Sequence, residues 1–492
     1  MTAASPSAPA PRVAPADRRL STETKLFYGF GSVAFGVKDN GFSYFLLLFY
    51  NQVVGLPAGL VGLALMIALL WDACIDPLIG QASDSLRSRW GRRHPFMYAA
   101  ALPVAVSYAA LWNPPHWDHQ AQFYYLVVTA IVIRTFTSFY EVPSSALAAE
   151  FSASYDERSV LLSYRYFFGW VGGLALNLIA LAFLFKPDRT HSVGQLNPVG
   201  YTHYSWLAAA MMFSAILISA AGTHRYIPTL MPPPPRRRLS LRDTAREMLQ
   251  TVSNRSFLFL LLSGIASAMA AGLGASLNYY FNTFFWQFSA QQIAFFTGGV
   301  FLSAIIALPS APLLSRRFGK RATAMSLMVL SLTVGLGPLL LRVAGLMPPN
   351  HSIALIAIIF CTSIISTACG IIAATMLSSM IADVVEPSEL KTGRRSEGLF
   401  FAASAFIGKA VSGFGILAAG NIVEMIHLKA GIDPSSVPAT VARNLALVYC
   451  PVMIGLYASA IILLTGYKIT RATHQETLRQ LAAESEEAAH AV

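Results

Sequence analysis

Two carboxylates, Asp72 and Asp76, stand four residues apart inside the apolar stretch Leu56 to Ala82. On a helix that spacing puts both on one face, about 6 Å apart along the axis. Burying a single carboxylate at membrane depth costs about 2.5–3.5 kcal/mol on insertion scales. A facing pair therefore calls for a bound cation, a shared proton or a basic partner, and reads as a coupling-ion site. A plainer alternative has Asp76 cap a helix break at Pro77, which leaves Asp72 unexplained.

Other charged residues lie in apolar segments and must be positioned with this pair. The fourth segment carries Arg134, Ser138, Glu141 and Ser145 at spacings of 4, 3 and 4, one polar stripe that has to face inward. The first segment adds Lys38 and Asp39 among Gly29, Gly31, Gly36 and Gly41, the fifth adds Arg165 and the eleventh Lys409. Acids and bases balance across this set, which also fits purely structural ion pairs. With Lys409 facing Asp72 and Asp76, that cluster would carry a net charge of −1, which one monovalent cation would neutralise. Lys38 with Asp39, and Glu141 with Arg165, would then form neutral pairs. Carboxylates and cationic donors lining a cavity can fork onto vicinal hydroxyls, chemistry that suits a polyol such as a sugar.

The elements that position these groups follow from composition. The chain of 492 residues is 55% hydrophobic and only 12% charged, with a mean hydropathy of +0.54, whereas soluble domains carry about a quarter charged residues. Apolar runs long enough to cross a bilayer, without the alternation of barrel strands, predict an all-α polytopic membrane protein of twelve transmembrane helices. Of 35 Lys and Arg, 26 fall on the side that carries both termini and 5 on the other. The positive-inside bias thus places both termini in the cytoplasm and the protein in the inner (plasma) membrane as a multi-pass component. It also accounts for the net charge of +11 through orientation and anionic lipid, without nucleic acid.

The seam is Pro228 to Arg255, where Pro232 to Pro235 precede Arg236 to Arg238 and an amphipathic-looking piece, Leu239 to Val252. The expected organisation is a disordered tail (1–25), an N-terminal six-helix bundle (26–227), a cytoplasmic linker (228–255), a C-terminal six-helix bundle (256–467) and a cytoplasmic tail (468–492). A basic, Gly-centred loop recurs after the second and eighth segments, at Arg89-Trp-Gly91-Arg92-Arg93 and Arg316-Arg-Phe-Gly319-Lys320-Arg321. It marks two parallel repeats. In the first loop Asp84 can pair with Arg89, Arg92 or Arg93 around the bend at Gly91, a cytoplasmic gating turn; the first loop alone is expected to hold an acidic partner. Gly169 to Gly173, and Ser404, Gly408 and Ser412, read as packing seams. Trp170 and the Tyr279 to Trp286 cluster suit the membrane interface or a stacked ligand. The four cysteines lack metal-ligand spacing and read as small core residues without a disulfide; no apolar leader is visible in residues 1–25.

No nucleotide-binding loop is legible, because the paired glycines lie in apolar spans with no strand before them; neither an enzyme nor ATP-driven transport is indicated. Tyr28-Gly-Phe-Gly31 leading to Lys38-Asp39, Trp71-Asp72-Ala-Cys-Ile75-Asp76-Pro77, Arg87-Ser-Arg89-Trp-Gly91, Glu141-Val-Pro143, and Ala382-Asp383-Val-Val-Glu386 running to Lys391-Thr-Gly-Arg394-Arg-Ser-Glu397-Gly398 resemble the glycoside-pentoside-hexuronide:cation symporters. That group is a branch of the major facilitator superfamily, and the resemblance spans about residues 25 to 470. It implies two six-helix bundles in the major facilitator fold and symport of a sugar or glycoside by alternating access. It further implies that Lys38, Asp39, Glu141 and Arg165 contact substrate, and that Asp72, Asp76, Ser138 and Lys409 surround the cation. Sodium would sit at Asp72 and Asp76, with a proton as the other candidate ion. No other cofactor and no obligate protein partner is implied. Two positions depart from the melibiose carrier of that family: Ile75 replaces a polar cation ligand, and Ser145 replaces the ring that stacks on galactose. A cation-coupled lysophospholipid carrier shares the Trp-Asp-Ala-x-x-Asp-Pro pattern and is the alternative. A non-transporting receptor or structural protein would leave Asp72 and Asp76 without purpose.

Overall fold

A computed structural model describes residues 20–151, 155–229, 255–392, 397–469 and 476. Most of the expected linker, including Leu239 to Val252, and most of both tails lie outside these residues, as do residues 393–396 of the last quoted motif. The described residues are helical, with no strand among them. Within a bilayer each backbone N–H and C=O must be satisfied inside its own segment, and helices do this.

The first crossing is one rod assembled from α1 (Thr22–Phe30), α2 (Ser32–Asn40) and α3 (Leu46–Leu48), with π-helical turns at Gly41–Phe45 and Phe49–Val53. Ser21 caps its start by accepting from Thr24 N. It continues through α4 (Ala58–Ser85), α5 (His94–Leu111), α6 (His119–Phe151), α7 (Tyr155–Ile179) and α8 (Pro198–His224) to close the first half. The second half comprises α9 (Arg255–Tyr280), α10 (Ala290–Phe318), α11 (Lys320–Val343), α12 (Ile353–Thr392), α13 (Glu397–Met425) and α14 (Ala439–Leu464). Eleven of these helical stretches are long and apolar enough to cross a membrane, and the α1–α3 rod supplies the twelfth crossing. α4 runs without a break through Pro77, so Asp76 does not cap a helix end there.

Close packing rests on missing side chains. A Cβ on Gly36 would lie 1.7 Å from the Gly169 carbonyl oxygen, so α2 and α7 meet backbone to backbone along the Gly169–Gly173 seam. The seam expected on α13 holds in part, since the Ser412 backbone abuts Gly272 of α9. Gly408 faces open space, whereas Gly415 and Gly420 abut the Met269 carbonyl of α9 and the Ala58 carbonyl of α4. Gly91 and Gly319 adopt φ of 73° and 81° at equivalent turns of the two halves, a left-handed bend that favours glycine. The repeat is therefore visible in the backbone as well as in the charge pattern.

One buried apolar cluster runs the length of the N-terminal half and passes into the C-terminal half on the face opposite the termini, where it joins Phe45, Phe49, Tyr201, Leu277 and Tyr280. A second cluster, with Phe257, Met380 and Leu464, belongs to the C-terminal half alone and lies toward the termini. The two halves are thus fused by burial on one face. The interior between them forms a cavity at mid-depth.

Candidate functional site

α4 presents Asp72 and Asp76 to α6 on one side and α13 on the other. Asp72 is 2% exposed, and its Oδ2 lies 3.1 Å from Arg134 Nη1 and 3.3 Å from Lys409 Nζ. Lys409 Nζ donates to Asp76 Oδ2 at 2.6 Å. Ser138 Oγ sits 2.5 Å from Asp76 Oδ1 and 3.2 Å from Asp72 Oδ1, and its single O–H serves one of them at a time. Asp72 and Asp76 therefore share a face as their spacing predicted, and Ser138 and Lys409 converge on them as the resemblance implied. The charge departs from expectation. Arg134 joins them, so two acids face two bases and the cluster is neutral rather than −1.

The four expected substrate contacts divide. Lys38 is buried, bonded to Asp39 Oδ1 at 3.0 Å and 4.8 Å from the Phe35 ring centroid, while Asp39 is 44% exposed. Both line a central cavity of about 540 Å³ that also meets Phe42, Tyr44, Asp72, Arg134, Trp170 and Lys409. Arg165 does not pair with the Glu141 carboxylate as expected. Its guanidinium donates to Ser144 Oγ at 2.7 Å and to the Glu141 backbone carbonyl at 3.1 Å, positions set by the α6–α7 packing. Neither residue lines the 540 Å³ cavity.

A second cavity of about 360 Å³ lies mostly in the C-terminal half, and Tyr44, Leu174, Val300 and Thr367 line both. Its walls carry no formal charge. Asn177, Asn278, Asn282, Thr297, Ser363 and Ser366 supply amides and hydroxyls, and Trp286, Tyr449 and Tyr457 supply rings. The Tyr279 to Trp286 cluster thus partly lines a cavity, and Trp170 touches the other, where it packs on Phe301 with centroids 5.9 Å apart. These neutral donors escaped the sequence reading, since Asn and Ser on apolar helices carry no spacing signal of their own.

At the end near the termini, Asp84 pairs with Arg93 rather than Arg89 or Arg92. Arg93 also reaches Ser83 Oγ at 2.6 Å and Glu150 Oε1 at 2.9 Å, and Arg92 meets the same Glu150 oxygen at 2.8 Å. Arg89 stands outside this cluster, 5.7 Å from the Trp90 ring centroid. Glu150 was missed; an acid ending an apolar segment opposite a four-arginine loop was the available signal. The second repeat also holds an acid, contrary to expectation: Lys320 Nζ lies 2.6 Å from Asp383 Oδ1.

On the opposite face, hydrogen bonds join the halves. Gly59 N donates to Glu424 Oε2 at 3.1 Å, Tyr280 Oη to Asn51 Oδ1 at 2.9 Å, Tyr279 Oη to Asn177 Oδ1 at 3.1 Å, and Ser192 to Asp433. Two helical halves, a polar cavity at mid-depth and a clasp on one face define a transporter that binds its cargo between repeats.

Residues 27–471 match the family described as MFS/sugar transport protein, and the chain belongs to that family. Its members are membrane transporters rather than enzymes. The chain is 26% identical to the putative glycoside/cation symporter YagG of Escherichia coli strain K12, over 94% of this chain and 95% of that one. It is 25% identical to the isoprimeverose transporter of Lactiplantibacillus pentosus, covering 87% and 85% of the two chains. Among solved structures, a D-xylose-proton symporter superposes with a TM-score of 0.63 at 14% identity, over 92% of this chain and 98% of that one.

Proposed function

We propose that the protein carries a glycoside across the inner membrane by alternating access, driven by a cation gradient, with both termini cytoplasmic. The observation that carries this reading is the pair of joined cavities. One has charged walls, where Lys38 and Asp39 can fork onto the hydroxyls of a sugar ring. The other has neutral amides, hydroxyls and rings suited to a second ring or an aglycone. Relatives named for glycoside and isoprimeverose transport support it. The charged lining disfavours a lysophospholipid, whose acyl chain needs an apolar cleft.

In this reading the substrate enters from the open side, displaces water from Asp39 and Lys38, and brings the halves together over it. The clasp on the far face must release before the cavity opens there. Glu141 and Arg165 are not among the residues lining the charged cavity, and the bonds from Arg165 to Ser144 and the Glu141 carbonyl hold α7 against α6. The test is uptake of a panel of labelled glycosides and uronides into proteoliposomes, with sodium and pH gradients imposed separately. Absence of uptake and of exchange for every glycoside would overturn the proposal.

A further inference from the structure

Resting on that reading for its transport readout alone, we propose that this transporter excludes sodium from the acidic pair, because Arg134 occupies the place of the inorganic cation. A buried carboxylate pair in a bilayer needs positive charge, and an ion site follows when the protein withholds it. Here the protein supplies it. Asp72 and Asp76 face Arg134 and Lys409, two charges against two. Lys38, the remaining base on the cavity wall, is matched by Asp39. A sodium ion added to this arrangement would bring a net positive charge into a low-dielectric interior.

The two bases differ in how they are held. Asp72 lies on α4 and Arg134 on α6, both in the N-terminal half, so their 3.1 Å bond travels with that half as a unit. Lys409 lies on α13 of the C-terminal half, so its bonds to Asp72 and Asp76 are made and broken as the halves rock. Of the two bases bonded to Asp72, Arg134 is therefore the one that stays with it throughout the cycle. It is 5% exposed, 4.8 Å from the Phe42 ring centroid, and its Nε has no other partner among the described residues. A guanidinium stays charged at any physiological pH. Sodium could take Asp72 only by stranding this cation in an apolar wall, where an unpaired charge is costly.

The oxygen ligands are also already engaged. Hard cations require several oxygens at once. Ile75, on the turn between the acids, contributes none. Ser138 is held against both carboxylates, and among the described residues no cluster of three or more His, Cys, Asp or Glu side chains could hold a metal ion. The acidic pair looks like a sodium site in sequence, and in three dimensions its donors are already spent on tethered cations.

The experiment uses the full chain, purified and reconstituted. Sodium chloride is exchanged for choline chloride at constant pH and ionic strength, and saturable binding of radioactive sodium, the melting temperature and labelled-glycoside uptake are measured. The wild type is expected to show no saturable sodium binding, no shift in melting temperature and equal uptake in both salts. Arg134→Gly, with Arg134→Gln as a second variant should the first not fold, leaves the pair a charge short. It is expected to gain sodium binding and a sodium-dependent rise in melting temperature. Saturable sodium binding or sodium-stimulated uptake by the wild type overturns the proposal. So does a folded Arg134 variant that gains no response. Sodium binding is read without any sugar, so failure to transport glycosides would sink the functional reading and leave this one decided on its own evidence.

Discussion

Gln195, in the loop after α7, reaches across the molecule to Thr283: its Nε2 lies 3.1 Å from Thr283 Oγ1 and 3.0 Å from the Phe288 carbonyl, all of them buried. The two acceptors belong to the opposite half, so this side chain stitches the repeats on the face away from the termini. Removing one partner of a buried hydrogen bond costs about 1–3 kcal/mol. Gln195→Ala should destabilise the clasped state by that amount and raise the population open on this face. Reactivity of a single cysteine placed on the cavity wall toward a membrane-impermeant maleimide reports the change. Unchanged reactivity from that face would mean that the clasp does not hold the closed state.

Asp433 gives the clasp a pH dependence. Its carboxylate accepts from Ser192 of the other half and from Ser435, at 2.5 Å from the hydroxyl and 2.8 Å from the backbone N–H. The hydrogen bond from Ser192, then those from Ser435, hold its pKa below the usual carboxylate value. A group depressed in the clasped state stabilises that state above its ordinary pKa of about 3.9 and loses the effect as pH falls through the depressed value. The clasp should thus be indifferent to pH near neutrality and loosen in acid. Hydrogen exchange of residues 186–197 and 427–438, taken down to about pH 3, should show protection lost in the wild type and less change in Asp433→Asn. Identical profiles for both chains would remove Asp433 from the device.

Much of the site was legible because ionisable residues in apolar segments have few roles. The spacing of Asp72 and Asp76 gave their shared face, and the family resemblance pointed to Lys409 as their partner across 333 positions of sequence. What spacing could not decide was which base meets which acid. Arg134 belongs to the stripe that carries Glu141 and Arg165 lies on the next helix, yet Arg134 turns to α4 while Arg165 takes a hydroxyl and a backbone carbonyl. That choice depends on helix rotation and on the Gly36–Gly169 approach, which local pattern does not encode. The clasp was illegible for another reason: loops such as 186–197 and 427–438 pair through tertiary placement, and Ser192 and Asp433 carry no periodic signal.

Asp39 and Glu141 occupy different environments despite their common charge. Asp39 reaches the cavity beside Lys38, whereas no side chain among the described residues hydrogen-bonds the Glu141 carboxylate. Asp39→Asn should weaken substrate binding by about 1–3 kcal/mol, the scale for losing a partner of a buried polar group. Glu141→Gln should act less on affinity than on the rate of transport, because Glu141 is not among the residues lining the charged cavity. Calorimetric titration with a transported glycoside, set beside initial uptake rates, separates the two. Equal losses of affinity would place Glu141 at the sugar itself.

The Arg93 cluster ties three chain segments at the end near the termini. Arg93, 7% exposed, holds Asp84 and Ser83 at the end of α4 and Glu150 at the end of α6, from its place just before α5. Glu150, 6% exposed, depends on Arg93 and Arg92 for its charge balance. Breaking a buried pair costs about 3–5 kcal/mol where the other charge is left unpaired, and here Arg92 stays on Glu150, so the loss should be smaller. Arg93→Ala should therefore lower the melting temperature, by less than the full cost of an unpaired buried carboxylate. Arg89→Ala, which removes only an exposed stack on Trp90, should change stability by less than about 1 kcal/mol. Glu150→Gln with Arg93→Ala should cost less together than the sum of the single changes, since the two side chains are in direct contact and the double variant no longer leaves a buried carboxylate short of one of its two arginines. Thermal unfolding of the four chains in detergent settles the comparison; strictly additive losses would show that Arg93 and Glu150 act independently and that the short contacts between them carry no coupling.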